Sequence, residues 1–205
     1  MTEITAENSF SWVSEGGWVH VRPLGLASAT TWRNVADVTN FLAETPDLNL
    51  FVEIGANYCG WAALMVARTI VSPSFGYLGI EIEQGRKNGH LETYMKSQPR
   101  CKIIWQDCFD PRVIAEVKEW IDATQGKALV WCDGTNKPKE MEHYHPLLRP
   151  GDYLMLHDYS EGDEGTAGNP NWLDCKPLVD SGDFVVAMPD YWAVAAAMFL
   201  MQKVK

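Results

Sequence analysis

Short apolar runs alternate with amphipathic stretches along most of the chain, beginning near residue 49. Turn-forming or charged residues bound the runs, as is typical of buried strands. The predicted strands cover residues 49–54, 75–82, 102–105, 128–132, 153–156, 184–188 and 193–202, and the predicted helices cover residues 31–42, 61–70, 84–98, 111–123 and 137–148. This alternation predicts an α/β fold of the Rossmann-like, doubly wound type, with a mostly parallel seven-stranded sheet and helices on both faces.

The chain of 205 residues shows no internal repeat and no linker-like segment, so we expect one domain over residues 1–205. Two segments depart from the regular pattern. Residues 1–30 include Trp12 and Trp18 and are expected to form an irregular aromatic arm that could hold a short hairpin. Residues 159–172 are rich in Gly, Asp, Glu and Asn, and a polar loop of this length predicts a lid or substrate loop.

Charge and composition narrow the class of partner. The formal net charge is −10 and lysines and arginines do not cluster, which argues against a nucleic-acid partner. No apolar run approaches the roughly 20 residues of a membrane span, and the first residues lack a secretory signal pattern. We therefore expect a cytoplasmic protein that does not enter a membrane. The five cysteines include no Cys-x-x-Cys pair, so neither a zinc site nor a disulfide framework is predicted.

The turn after the first predicted strand of the sheet is the most informative segment. It reads Phe51-Val-Glu-Ile-Gly-Ala-Asn-Tyr-Cys-Gly60. Glycine lets the backbone approach a ligand closely, and the helix that follows can direct N–H groups toward that ligand. A dinucleotide fingerprint would require glycine where Asn57 stands, so a nicotinamide cofactor is disfavoured.

Four carboxylates follow the next strands of the predicted sheet. Glu81 ends the second strand, where doubly wound folds place an acid that accepts hydrogen bonds from ribose hydroxyls. Asp107 follows the third strand, although an acid in this position can instead cap a helix. Asp133 and Asp158 follow the fourth and fifth strands. Because the carboxyl ends of parallel strands meet at one edge, we expect these residues and the glycine turn to face one crevice.

With these motifs, residues 49–160 resemble class I S-adenosylmethionine (SAM)-dependent methyltransferases. Within them, residues 133–159 resemble small-molecule and sugar O-methyltransferases of the cephalosporin-hydroxylase-like and catechol O-methyltransferase-like groups. The resemblance implies SAM as cofactor and a small-molecule or glycan hydroxyl as methyl acceptor, and a homo-oligomer is compatible with it. The residues that it implies for cofactor binding are Glu53, Gly55, Asn57, Gly60, Glu81, Asp107 and Asp133.

The chemical centre is predicted around Asp133, His157 and Asp158. The two acids could share Mg²⁺ or a similar hard cation. In metal-dependent relatives an acid or amide is the third ligand, whereas His157 stands here, and Asn136 replaces a histidine often found after the first acid. Because Mg²⁺ favours oxygen ligands, a metal-free site in which His157 acts as general base is an open alternative. Strand alternation would instead point His157 away from Asp158, into a packing role.

The other candidate groups concern the acceptor. Lys137 and Lys139 are expected to be solvated, though either could meet an acidic substrate. Methyl transfer depends mainly on alignment and exclusion of water, so residues 159–172, with Trp12 and Trp18, form the candidate acceptor surface. Two functions are therefore open: an O-methyltransferase, or a non-catalytic methyltransferase-like module for binding or assembly. A nucleic-acid methyltransferase is disfavoured because no Asn/Asp-Pro-Pro-aromatic element occurs.

Overall fold

The N-terminal part of the chain forms a small antiparallel sheet. The computed structural model describes residues 11–15, 18–22, 26–28, 38, 40–56, 65, 69, 72–82, 95–96, 98–159, 170–189 and 198–205, with the backbone alone before residue 38. Strand β1 (Ser11–Glu15) pairs with β2 (Trp18–Arg22), which pairs with β3 (Leu26–Ser28). The short hairpin that the sequence allowed in this arm is therefore present, and a third strand extends it. Two glycines separate the paired residues Glu15 and Trp18, a composition that tight hairpins favour.

A seven-stranded sheet forms the centre of the molecule. Its strands are β4 (Leu48–Ile54), β5 (Gly76–Glu81), β6 (Cys101–Trp105), β7 (Lys127–Cys132), β8 (Tyr153–His157), β9 (Phe184–Val186) and β10 (Met198–Lys203). The spatial order is β6-β5-β4-β7-β8-β10-β9, and β10 runs antiparallel to both of its neighbours. The predicted mostly parallel, doubly wound sheet is confirmed. The strand order reverses beside β4, which is where open α/β sheets form a ligand crevice.

Three helices have complete bounds in the structure: α1 (Pro111–Ala123), α2 (Lys137–Tyr144) and α3 (Trp172–Asp180). A 3₁₀ turn, His145–Leu147, extends α2 toward β8. The described residues within 38–44, and at 65, 69, 95 and 96, are also helical. Among the described residues, none of the helices combines the length and the apolarity that a membrane crossing requires.

The boundaries of α1 follow from its local sequence. The side chain of Asp110 accepts a hydrogen bond from the backbone N–H of Arg112, and Pro111 occupies the first turn, where its missing N–H costs nothing. Three buried residues at helical spacing, Val113, Val117 and Ile121, form its core-facing stripe. The predicted helix at residues 111–123 has these same bounds.

Alternating residues of the central strands build a hydrophobic core on each face of the sheet. On one face, Phe51 packs with Phe41, Met65 and Met95 from helical segments. On the other face, Leu50, Val52 and Ile54 pack with residues of α1 and α2. Because both faces are covered by helices, the polar ends of the strands are the part of the sheet that remains open to ligands.

A buried carboxylate joins β7 and β8 at the edge opposite those carboxyl ends. Asp152 is 1% exposed and accepts hydrogen bonds from the backbone N–H of Ala128 and from the backbone and guanidinium of Arg149, at 2.8–3.1 Å. The same guanidinium donates to the carbonyls of Thr124 and Gly126. These bonds hold the start of β8 against the start of β7.

We expect Asp152→Ala to lower the free energy of unfolding by about 3 kcal/mol or more, because it leaves a partly buried guanidinium and two backbone donors without their acceptor. Urea denaturation measures this change. The matched control is Asp122→Ala, which removes an exposed ion pair with Lys118 and should cost less than about 0.5 kcal/mol. Equal effects of the two substitutions would contradict the structural role of Asp152.

Candidate functional site

A cleft of about 430 Å³ opens at the carboxyl ends of the central strands. Six of the sequence-predicted site residues line it: Gly55, Glu81, Asp107, Asp133, His157 and Asp158. Asn57 and Gly60 lie outside the described residues. Glu53 is not among the described residues that line the cleft. The structure thus brings the glycine turn and the strand-end acids of β5 to β8 into one space.

The turn after β4 needs glycine at position 55 for two reasons. Gly55 has a φ of +83°, in the region that favours glycine. A Cβ atom there would lie 2.6 Å from the carbonyl oxygen of Asp133, a distance that real Cβ atoms do not reach. The backbone N–H groups of Gly55 and Ala56 both donate to the carbonyl of Ile80, at 2.9 and 3.1 Å. The turn is therefore held between the ends of β5 and β7.

Two acids on the β5 and β6 side of the cleft occupy the predicted positions. Glu81, the last residue of β5, is 6% exposed, and the following Ile82 is exposed at the cleft surface. The Oδ1 atom of Asp107 accepts a hydrogen bond from the N–H of Phe109 at 2.9 Å. Asp110, not Asp107, caps α1, so the capping role considered for Asp107 belongs to its neighbour.

Glu53 lies buried behind the cleft wall, although it was predicted to bind cofactor. Its carboxyl is 2% exposed, and the hydroxyl of Tyr77 donates to its Oε2 at 2.5 Å. Burial raises the pKa of Glu53 to about 8; the Tyr77 hydrogen bond opposes this rise, and the charges of Asp133 and Glu81 add to it. The side chain therefore carries a proton at neutral pH and acts as an internal support for β4.

His157 lies between the two acids of the β7 and β8 ends. Its Nδ1 is 2.6 Å from Oδ1 of Asp133 and 3.7 Å from Oδ1 of Asp158. Burial lowers the pKa of His157, but the hydrogen bond and charge of Asp133, together with the charge of Asp158, outweigh burial and raise it above the usual value. The carboxylate of Asp133 is thus the hydrogen-bond partner that holds the His157 ring in place.

The backbone of Asp158 explains why consecutive residues face the same cleft. Asp158 has a φ of +54°, a left-handed conformation that Asp adopts more readily than most residues. This conformation interrupts the alternation of side chains that a continuing strand would impose. Both His157 and Asp158 consequently line the cleft, and the alternative that alternation would point His157 away from Asp158 was wrong.

Lys137 and Glu140, at the start of α2, complete the cleft wall. Lys137 is 5% exposed, and its Nζ lies 3.0 Å from Oδ2 of Asp158 and donates to the carbonyl of Gly134. The expectation of a solvated Lys137 was therefore wrong. Glu140 is buried and accepts hydrogen bonds from the N–H groups of Gly134 and Asn136. The sequence signal for both is the N-cap Asn136, which starts α2 directly beside the strand-end acid Asp133.

Asp133, His157 and Asp158 also form the candidate metal cluster. One ligand atom from each residue lies within 4.8 Å of the others, which is close enough for a shared cation. However, Oδ1 of Asp133 is engaged by the imidazole and Oδ2 of Asp158 by the ammonium of Lys137. Mg²⁺ also prefers an all-oxygen set to one with imidazole. With these contacts in place, the arrangement does not fit a hard divalent ion.

Comparison with known proteins identifies the relatives of this chain. A family model described as "Rhamnosyl O-methyltransferase/CmcI" matches residues 18–200. The chain belongs to this family. A curated relative, the rhamnosyl O-methyltransferase of Mycobacterium bovis (BCG strain), is 24% identical over 151 residues, which cover 69% of this chain. This family member spans 58% of the length of that relative.

Solved structures support the same fold. The apo structure of CmcI aligns with a TM-score of 0.67 and 17% identity, over 91% of this family member and 76% of CmcI. A CmcI structure described as a Mg–SAM complex aligns with a TM-score of 0.63 and 17% identity, over 88% and 75% of the two chains. At this level of identity the likeness establishes the Rossmann-like methyltransferase architecture of the chain.

The buried carboxyl of Glu53 should make the stability of this family member depend on pH. Between its ordinary pKa of 4.5 and the raised value of about 8, the native state keeps a proton that the unfolded chain releases. The stabilising contribution is complete below pH 4.5 and is lost as the pH rises through about 8. In Glu53→Gln this loss should be absent, while the amide oxygen still accepts the Tyr77 hydrogen bond.

Urea denaturation of both proteins at a series of pH values measures the effect. The difference in free energy of unfolding, wild type minus Glu53→Gln, should fall by up to about 1.4 kcal/mol per pH unit across this window. Parallel pH profiles for the two proteins would show that Glu53 is ionised in the native state at neutral pH.

Proposed function

We propose that this chain is a SAM-dependent O-methyltransferase acting on a hydroxyl of a small molecule or glycan. The observation that carries the proposal is the convergence of Gly55, Glu81 and Asp107, from three successive strand ends, on one cleft beside the Asp133–His157 pair. The name of the curated relative supports O-methylation of a sugar, and the CmcI complex with SAM supports the donor.

The residues of the cleft fit SAM. The volume of the cleft lies within the range of about 300–1,000 Å³ typical of small-molecule sites. The Gly55 turn lets the backbone approach a ligand, and the Glu81 carboxylate can accept hydrogen bonds from both ribose hydroxyls. Asp107, after the end of β6, lines the same cleft, and we assign it to the adenine base. When bound, SAM supplies an electrophilic methyl group on a sulfonium centre.

His157 is the group that we assign to the acceptor proton. Its Nδ1–H donates to Asp133, so in the neutral ring Nε2 is the nitrogen that accepts a proton. The Asp133 carboxylate fixes this tautomer and stabilises the imidazolium that forms when the acceptor hydroxyl loses its proton. Asp158 adds a second negative charge near the ring. By taking up the proton, the Asp133–His157 pair makes the acceptor oxygen a stronger nucleophile during methyl transfer.

Acceptor alignment is assigned to the polar segment at residues 159–172. Its described ends, Tyr159 and Trp172, both contact the ring of Phe199 on β10, with centroid distances of 4.5 and 6.1 Å. These contacts hold both ends of the segment beside β8, next to the cleft. Residues 160–169, and the side chains of Trp12 and Trp18, lie outside the described part of the chain. We propose that the acceptor enters at this side.

The direct test is turnover of SAM by the purified chain. A panel of rhamnose-containing glycans and small hydroxylated molecules is offered with SAM, and S-adenosylhomocysteine and methylated product are measured by mass spectrometry. We expect product with at least one acceptor class. Failure to bind SAM contradicts the proposal, whereas SAM binding without turnover across the panel supports a non-catalytic methyltransferase-like module.

Glu81→Gln should weaken SAM binding about 10- to 100-fold, because an amide offers the ribose one neutral acceptor oxygen in place of a charged pair. Isothermal titration calorimetry measures the dissociation constant. Glu116→Gln is the control, since Glu116 lies on the outer side of α1 and pairs with Lys102. Unchanged affinity in Glu81→Gln would remove Glu81 from the binding site.

His157→Asn should reduce kcat about 100-fold or more with little change in SAM affinity, because the proton acceptor is lost while the donor-binding residues stay. Asp133→Asn should reduce kcat in the same direction through the wrong imidazole tautomer. His145→Gln, outside the cleft and packed against Phe184, is the matched histidine control. Wild-type kcat in His157→Asn would contradict a general-base role.

A further inference from the structure

Lys137 is an unusual residue for its position. It is the first residue of α2, where the helix dipole disfavours a positive charge, and its side chain is almost fully removed from solvent. Desolvation of an ammonium is costly unless it is paired. Both costs are offset within the cleft, because the ammonium contacts the Asp158 carboxylate and the carbonyl of Gly134, each at 3.0 Å. The chain therefore supplies its own cation to the strand-end acids.

The contacts of Lys137 compete directly with a divalent ion. An ion shared by Asp133 and Asp158 would have to displace the ammonium from Oδ2 of Asp158 or lie next to it. At Asp133 it would bind a carboxylate whose Oδ1 atom is already hydrogen-bonded to the imidazole of His157. Like charges placed side by side repel strongly in a partly desolvated site. One carboxylate of the cluster is thus already paired with an ammonium of this chain, and the other is hydrogen-bonded to the imidazole.

We propose that Lys137 is a built-in cation that takes the place of a divalent metal in this cleft. Its ammonium holds the Asp158 carboxylate in position and supplies positive charge where negative charge develops on the acceptor oxygen. Lys137 is thereby a positioning residue that makes the site independent of added metal. The part concerning methyl transfer rests on the proposed function, whereas the exclusion of divalent ions does not.

Mn²⁺ binding, followed by electron paramagnetic resonance on the full chain without SAM or acceptor, tests the exclusion. Wild type should show only weak, nonspecific binding. Lys137→Met, which keeps most of the length of the side chain and removes its charge, should bind Mn²⁺ at least about tenfold more tightly. Adding Asp158→Asn to Lys137→Met should abolish that gain, because it removes a ligand of the new site.

Two further variants keep the test decisive. Lys137→Arg retains the charge and should exclude Mn²⁺ as wild type does, which separates the loss of charge from the loss of the lysine side chain itself; circular dichroism shows whether Lys137→Met is folded. Lys139→Met removes an exposed lysine on the same helix, one that packs over the ring of Phe109, and should also behave as wild type. Tight Mn²⁺ binding by wild type that Asp158→Asn abolishes, or no gain in folded Lys137→Met, overturns the proposal.

Metal dependence of turnover separates this inference from the proposed function. Wild-type methyl transfer should be unchanged after treatment with EDTA and should not increase with Mg²⁺. Turnover that EDTA abolishes and Mg²⁺ restores would overturn the role of Lys137 while supporting the methyltransferase. Absence of turnover under every condition would contradict the proposed function. The Mn²⁺ titrations would still test whether Lys137 excludes divalent ions.

Discussion

The close approach of the Gly55 turn to the backbone at Asp133 is the constraint on which the cleft depends. A side chain at position 55 would occupy the space of the Asp133 carbonyl and the Gly134 Cα. Because glycine leaves that space open, the chain can turn away from β4 directly against the end of β7. The hydrogen bonds to the Ile80 carbonyl fix the same turn against β5. Ligand-binding backbone and acidic side chains are thus placed next to each other.

The sheet was predictable because strands that are buried on both faces consist mainly of apolar residues, a pattern that is visible in the sequence. Strands such as Lys127–Cys132 read as nearly continuous apolar runs, and the start of α1 is encoded by Asp110 and Pro111. A hairpin near the N-terminus was expected, but the bounds of its strands and the third strand were not, because strands of three to five residues carry little periodicity. Helix α3 was not predicted because it is short and contains Pro177, which is unfavourable within a helix; its local signal is the capping box formed by Asn171 and Asp174.

The sequence predicted which strand ends form the candidate site, but it did not predict the contacts between the side chains there. The rule that parallel strands end at one edge gathers Glu81, Asp133 and Asp158, and their shared cleft follows. The N-cap Asn136 places Lys137 near the strand-end acids, but the burial of its side chain depends on its contacts with Asp158 and Gly134, which are a tertiary effect. Glu53 was misplaced for a similar reason, since the position of Tyr77 on the neighbouring strand decides its environment.

The left-handed residue after β8 has a consequence for how this site can diversify. It lets β8 place an imidazole and a carboxylate side by side at the cleft, while the preceding residues, Leu154, Met155 and Leu156, are fully buried in the core. A substitution at position 157 consequently changes the donor atom that faces the cleft and the edge contact with the ring of Trp131, while these three core residues keep their places. An evolving enzyme could move between nitrogen and oxygen donors at this point by a single substitution, with the scaffold unchanged.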